Sequence, residues 1–319
     1  IKRKEDGRII EFMETGKEQN EKFWGLSIRF LEGYVIEGSR WLKLYEDEGI
    51  EAGQINGHIA FLFREWLHYV DGIGVLFNSS NTYAARVLLR SAWEIFLQFK
   101  YFWDDYDDKV MKDKFVCYLI AAKVQKIRFI KEQLAEAQQQ NNLSEIEKLQ
   151  KMLDFVINDY DTNPLFENCS KYKHKMNKDK RLNWHGLYSS KKKSINSLAK
   201  GKKAISGQSL EMVNDLIYGM LSETAHGHFV GDGCIKEDGK LKFAPIRFNL
   251  GGSFVLLIVQ IMFEDILATL KDYYGDKIDF EKVVTSNLIE NQRKLLVKIK
   301  SIDTIFEERC FGENKTSEI

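Results

Sequence analysis

The chain has 319 residues, 44% hydrophobic and 29% charged, enough apolar material for a substantial core and too much for wholesale disorder. Lysine plus arginine equals aspartate plus glutamate at 47 each, so global charge names neither nucleic acid nor an acidic membrane as partner. Only two prolines occur, which favours long uninterrupted helices, and four widely spaced cysteines without a Cys-x-x-Cys pair exclude a zinc-finger or thioredoxin-type motif.

Such cysteines read as reduced thiols of a cytoplasmic protein. The chain opens at Ile1 without a methionine, which reads as a chain lacking its first residues, and no secretory signal is visible in Ile1-Lys2-Arg3-Lys4. Helical periodicity runs over 8–48, with Phe23, Leu26, Phe30, Leu31 and Tyr34 at helix-face spacing. A second helix is expected over 54–78 and a third over 82–101, entered through the turn and cap signal Asn78-Ser79-Ser80-Asn81. The third is apolar almost all round, which suits a central position.

The acidic turn 104–108 leads into a helix over 107–141, and Ser144 with Glu147 forms a capping box for another over 144–158. Together these make an antiparallel hairpin expected to protrude. Residues 159–207 read as a basic, irregular connector. Between Lys171 and Lys203 there are 12 Lys or Arg and one acid, Asp179, a balance of 12 − 1 = +11. A patch of that sign suits phosphates, with Arg181, Lys191, Lys192 and Lys193 as the nucleic-acid-binding candidates. It equally suits a solvated connector. Trp184, His185 and Tyr188 interrupt the run and argue that part of it docks on a folded body.

A helix over 209–229 is followed by turn-rich sequence enclosing short strands near 234–236 and 241–246. The run Phe254–Phe263 stops at Glu264-Asp265, short of the roughly 18 residues that cross a bilayer, so the helix over 252–274 is expected in the core and no membrane is expected as partner. A final helix covers 280–309, and 313–319 forms a frayed tail. The expectation is an all-α bundle of about seven to nine helices in one domain, 1–319, with at most one short β-hairpin. Helices 82–101, 209–229 and 252–274 are expected at its centre.

Tyr218, Ser222 and His226 recur every four residues, one face of a helix and one turn apart. Arg90 and Glu94 share that spacing on an apolar helix, so the pair is expected to be buried. One reading is structural: an internal salt bridge and a buried hydrogen-bond ladder. The other gathers Arg90, Glu94, Tyr218, Ser222 and His226 round a pocket, as a cationic anchor, a carboxylate and a titratable imidazole. That set suits acid–base work on a phosphodiester or recognition of an anion. Serine hydrolysis lacks its Gly-x-Ser-x-Gly elbow. His226, His228 and Asp232 fall short of a zinc ligand set, so neither metal nor cofactor is expected.

Three motifs in order resemble a large bacterial family of uncharacterised helical proteins, a domain of unknown function. They are Leu88–Glu94, the Trp184 region before a basic stretch, and Tyr218, Ser222, His226 and Gly227, and the resemblance spans roughly 55–260. It maps the family's motif residues to Arg90, Glu94, Tyr218, Ser222 and His226. A looser analogy is to HEPN-like helical domains, nucleotide-binding and RNA-cleaving. Their active members place four to six residues between an Arg and a His, usually at a dimer interface; Arg64/His68 and Arg181/His185 have three between. The expectation is a cytosolic bacterial effector acting on RNA or another phosphate-bearing ligand, in phage defence or stress response, with metal-independent, ribonuclease-like chemistry. The alternative is a non-enzymatic binding or scaffold protein with a protein partner or a second copy.

Overall fold

A computed structural model describes residues 7–47, 54–103, 107–163, 166, 169–179, 182–191, 194–225, 234–237, 240–243, 251–274 and 286–311. Among them run eleven helices: α1 (Gly7–Asp47), α2 (Gln54–Asn78), α3 (Thr82–Phe102), α4 (Asp108–Gln139), α5 (Leu143–Thr162), α6 (Ser170–Lys178), α7 (Trp184–Tyr188), α8 (Asn196–Ala199), α9 (Leu210–Ala225), α10 (Gly252–Tyr274) and α11 (Ser286–Phe311). A single antiparallel pair joins β1 (Cys234–Glu237) to β2 (Lys240–Phe243), with Cys234 opposite Phe243. The fold is all-α. The expected hairpin strands form over 234–237 and 240–243, and residues 244–246 of the second expected strand lie outside the described residues.

The excess over nine helices comes from 159–207, read from sequence as irregular. It carries α6, α7 and α8, of nine, five and four residues, too short for a 3.6-residue period to register. The cap of α5 also differs. Asn142, not Ser144, caps it, accepting from the backbone N–H of Glu145 at 3.3 Å, and Glu147 pairs with Lys151 instead. At the start of α3 the expected cap forms, with Asn81 Oδ1 accepting from Ala84 N–H at 3.0 Å.

The chain divides into two compact units, 1–99 with 201–319, and 100–200. In the first, α1 and α2 pack antiparallel. Trp24 meets Phe77 at 5.2 Å, Trp41 meets Phe63 at 5.4 Å, and between these pairs Gly38 lets Leu67 in so closely that a Cβ would lie 2.5 Å from it. The core joins this pair to α10, where Tyr34 packs on Phe263 and Trp66 donates to Met262 Sδ at 3.5 Å. The helix α10 runs through Glu264-Asp265 to 23 residues and is by length and composition apolar enough to cross a membrane. In the fold 72% of its most apolar stretch is buried in protein. Its buried face includes Gln260, Glu264, Asp265 and Thr269: Asp265 accepts from the backbone N–H of Ile205 at 2.7 Å, Gln260 donates to Glu264 at 2.7 Å, and Thr269 donates to the Asp265 carbonyl at 2.8 Å.

The expected core helix α10 thus lies against α1 and α2. The helix α3 buries Leu89, Trp93, Phe96 and Leu97 and leaves Tyr83 and Val87 in water, and in α9 Val213 and Ile217 are buried while Met212 and Leu216 are 66% and 47% exposed.

His58 on α2 is buried, and desolvation lowers its pKa from 6.5 to about 4. The folded state thus refuses a proton that the unfolded chain accepts. Stability is whole above pH 6.5 and falls as pH drops toward 4. Between pH 7 and 5 the protein is expected to lose about 2 kcal/mol more than a His58→Gln variant, in urea melts at each pH.

The second unit is built on the α4–α5 hairpin, closed by Ile130, Ala137, Leu149, Leu153 and Val156 and by a Lys123–Asp159 ion pair. Cys117 and Cys169 are buried thiols, and burial pushes both pKa values up.

Candidate functional site

Two side-chain hydrogen bonds join α3 to α9. Trp93, fully buried, donates from Nε1 to Asn214 Oδ1 at 3.0 Å, and one turn on, Tyr218 of α9 meets Arg90 and Glu94 of α3. The i, i+4 spacing on α3 brings Arg90 Nε to 3.3 Å from Glu94 Oε1. The Tyr218 hydroxyl donates to the same oxygen at 2.7 Å, and the Arg90 guanidinium lies over the Tyr218 ring at 4.8 Å. Three side chains from two helices thus form one closed contact.

Burial, and then the hydrogen bond to Glu94, push the Tyr218 phenol well above its ordinary range, while Arg90 beside it works the other way. Tyr218 is a permanent donor, which fixes the direction of the bond: phenol to carboxylate. Arg90 reaches Glu94 through Nε, and among the described residues neither of its terminal nitrogens is hydrogen-bonded to that carboxylate. Both bonds converge on Oε1, and among the described residues none reaches Oε2.

The pair is not buried, as its apolar helix suggested. Its side chains are 26% and 37% exposed, and Val87, one turn before Arg90 on the same helix, is 38% exposed. Ser222 lies in α9, but its side chain is outside the described residues, as are His226, His228 and Asp232. Among the described residues no group of three His, Cys, Asp or Glu could hold a metal.

Arg86 was not singled out by the sequence reading. It is 5% exposed, and Gly251, at φ +68°, lies so close to its Nη2 that a Cβ there would collide with it. Glycine is required twice over, for the left-handed backbone and for the approach. The signal available in sequence was the spacing Arg86, Arg90, Glu94.

Of the basic candidates, Lys191 is exposed in a turn, while Arg181, Lys192 and Lys193 lie outside the described residues. Several other cations of the segment are occupied within the second unit. Lys175 donates to the carbonyls of Gly186 and Leu187 at 2.9 and 2.8 Å, closing the end of α7, and Lys173 donates to that of Tyr160 at 2.7 Å. Tyr172 donates to Asp113 at 2.9 Å and Trp184 stacks on Phe102 at 4.6 Å, so the aromatic interruptions do dock. Arg64 and His68 are both exposed on α2, and His185 is buried. A groove of about 400 Å³ between α1 and α2 and another of about 470 Å³ beside the α4–α5 hairpin take in none of the trio.

A helical domain with a polar trio bridging two of its helices is the class that fold and site define. Residues 57–237, more than half of the chain, match DUF5677, a family of unknown function, and the chain belongs to that family. The match takes in Arg90, Glu94, Tyr218, Ser222 and His226. No curated protein and no solved structure matches the chain.

Proposed function

We propose that the protein acts on RNA or another phosphate-bearing ligand at the α3–α9 edge, as a cytoplasmic bacterial effector in defence or stress response. Arg90 is the phosphate clamp, Glu94 and Tyr218 orient it, Ser222 is a hydrogen-bond partner and His226 is the acid–base group. The observation that carries the reading is the guanidinium itself. It lies beside a carboxylate and over an aromatic face at a part-exposed position, and the bond it gives that carboxylate is from Nε and not from its terminal nitrogens. Such a fork meets a phosphate in two parallel bonds. The expected result is that Arg90→Ala weakens retention of a single-stranded oligoribonucleotide about 10- to 100-fold and flattens its salt dependence by about one contact. His226→Ala is expected to abolish turnover with little change in melting temperature. Oligonucleotide binding without a salt slope sinks the reading.

A second reading, a non-enzymatic binding or scaffold protein with a structural trio, draws on two observations. Arg90, Glu94 and Tyr218 already satisfy one another, and Lys173 and Lys175 serve backbone carbonyls. It predicts that His226→Ala costs about 1–3 kcal/mol of stability, by leaving buried polar partners unsatisfied.

A further inference from the structure

The trio has a fixed polarity. Tyr218 and Arg90 both donate to Glu94 Oε1, so the carboxylate is anchored through one oxygen. Glu94 is 37% exposed, and Oε2 accepts no hydrogen bond among the described residues. An ionised carboxylate only accepts and a guanidinium only donates. The open edge therefore offers a donor fork for an anion beside an acceptor for a hydroxyl. The described charges of the pair cancel, +1 from Arg90 and −1 from Glu94, which disfavours a dianion and suits a monoanion with a hydrogen-bond donor next to it. A ribose 2′-hydroxyl beside its 3′-phosphodiester has that pattern; deoxyribose lacks the donor.

We infer that Glu94 selects RNA over DNA, taking the 2′-hydroxyl on Oε2 while Arg90 holds the adjacent phosphodiester. The assignment rests on the phosphate reading above and names the sugar that reading leaves open. Tyr218 is a positioning residue here: its hydroxyl fixes which carboxylate oxygen faces the ligand.

The test is equilibrium binding of the full chain to three oligonucleotides of one sequence: ribose, deoxyribose and 2′-O-methyl. The last keeps the 2′ oxygen as an acceptor and removes only the proton. The expected result is a preference for ribose of about tenfold or more over each of the others. In Glu94→Gln the amide can turn its N–H outward and donate to either 2′ oxygen, so the preference over 2′-O-methyl is expected to vanish while ribose binding persists. Tyr218→Phe should reduce the preference, by freeing the carboxylate to rotate. Equal binding of all three, still dependent on Arg90, overturns the sugar assignment and leaves the phosphate reading standing. Absence of binding to any of them overturns both. A preference for ribose over 2′-O-methyl that survives Glu94→Gln, in a variant with wild-type melting temperature, removes Glu94 from the role.

Discussion

Trp93→Ala is expected to cost about 4 kcal/mol of folding stability, the largest loss of any change considered for this chain. The indole is fully buried, and its truncation leaves a cavity between α3 and α9. It also strips the donor from Asn214 Oδ1, itself only 2% exposed, so an amide oxygen is left dry and unbonded. Trp93→Phe keeps most of the volume and loses only the bond, so it should cost well under half as much. Met212→Ala, on the outer face of α9, should stay within about 0.5 kcal/mol of wild type. Urea denaturation of the three variants checks the ranking. Because Trp93–Asn214 sets the register one turn from Tyr218–Glu94, Trp93→Ala should also disperse the trio. A Trp93→Ala protein as stable as Met212→Ala would mean that α3 and α9 do not meet as described.

The local half of this arrangement was legible in the sequence. Arg90 and Glu94 stand at a helical spacing, Tyr218 and Ser222 share a face, and the limits of α2 and α10 follow from apolar runs and the signals that end them. The meeting of the two helices is not legible there, because Glu94 and Tyr218 lie 124 residues apart and no periodicity reports such a pairing. Exposure is hidden from sequence for the same reason: Arg86 is buried beside Gly251, far away in the chain, while Arg90, one turn on, is part-exposed. Local chemistry also misled at Ser144, where a capping box competes with Asn142 two residues earlier. Asn142 prevails because its cap starts α5 at Leu143, directly after the turn at Asn141, whose φ of +53° an asparagine tolerates. In the basic segment, charge was visible but its use was not: a lysine that caps a helix end and one that awaits a phosphate look alike in sequence.

Arg293→Met is expected to cost about 3 kcal/mol. Glu264 on α10 is 9% exposed, and Arg293 of α11 reaches it with two bonds, Nη2 to Oε2 at 2.6 Å and Nε to Oε1 at 3.1 Å. Gln260 adds a third at 2.7 Å. A buried carboxylate stripped of its cation loses about 3–5 kcal/mol. The lower end applies here, because the Arg293 side chain is 60% exposed and water can partly take its place. The loss belongs to the stranded charge and not to the pair as such. Glu264→Gln with Arg293→Met should therefore recover most of it, as a double-mutant cycle by urea denaturation would read. Arg293→Lys should fall between, since an ammonium offers one point of charge where the guanidinium offers a fork. Lys294, next in sequence, pairs with Glu290 in open solvent, and Lys294→Met should leave the melting temperature where it was. If Arg293→Met and Lys294→Met behave alike, Glu264 has water around it, and α11 then contributes apolar contact to α10 but no ionic clasp.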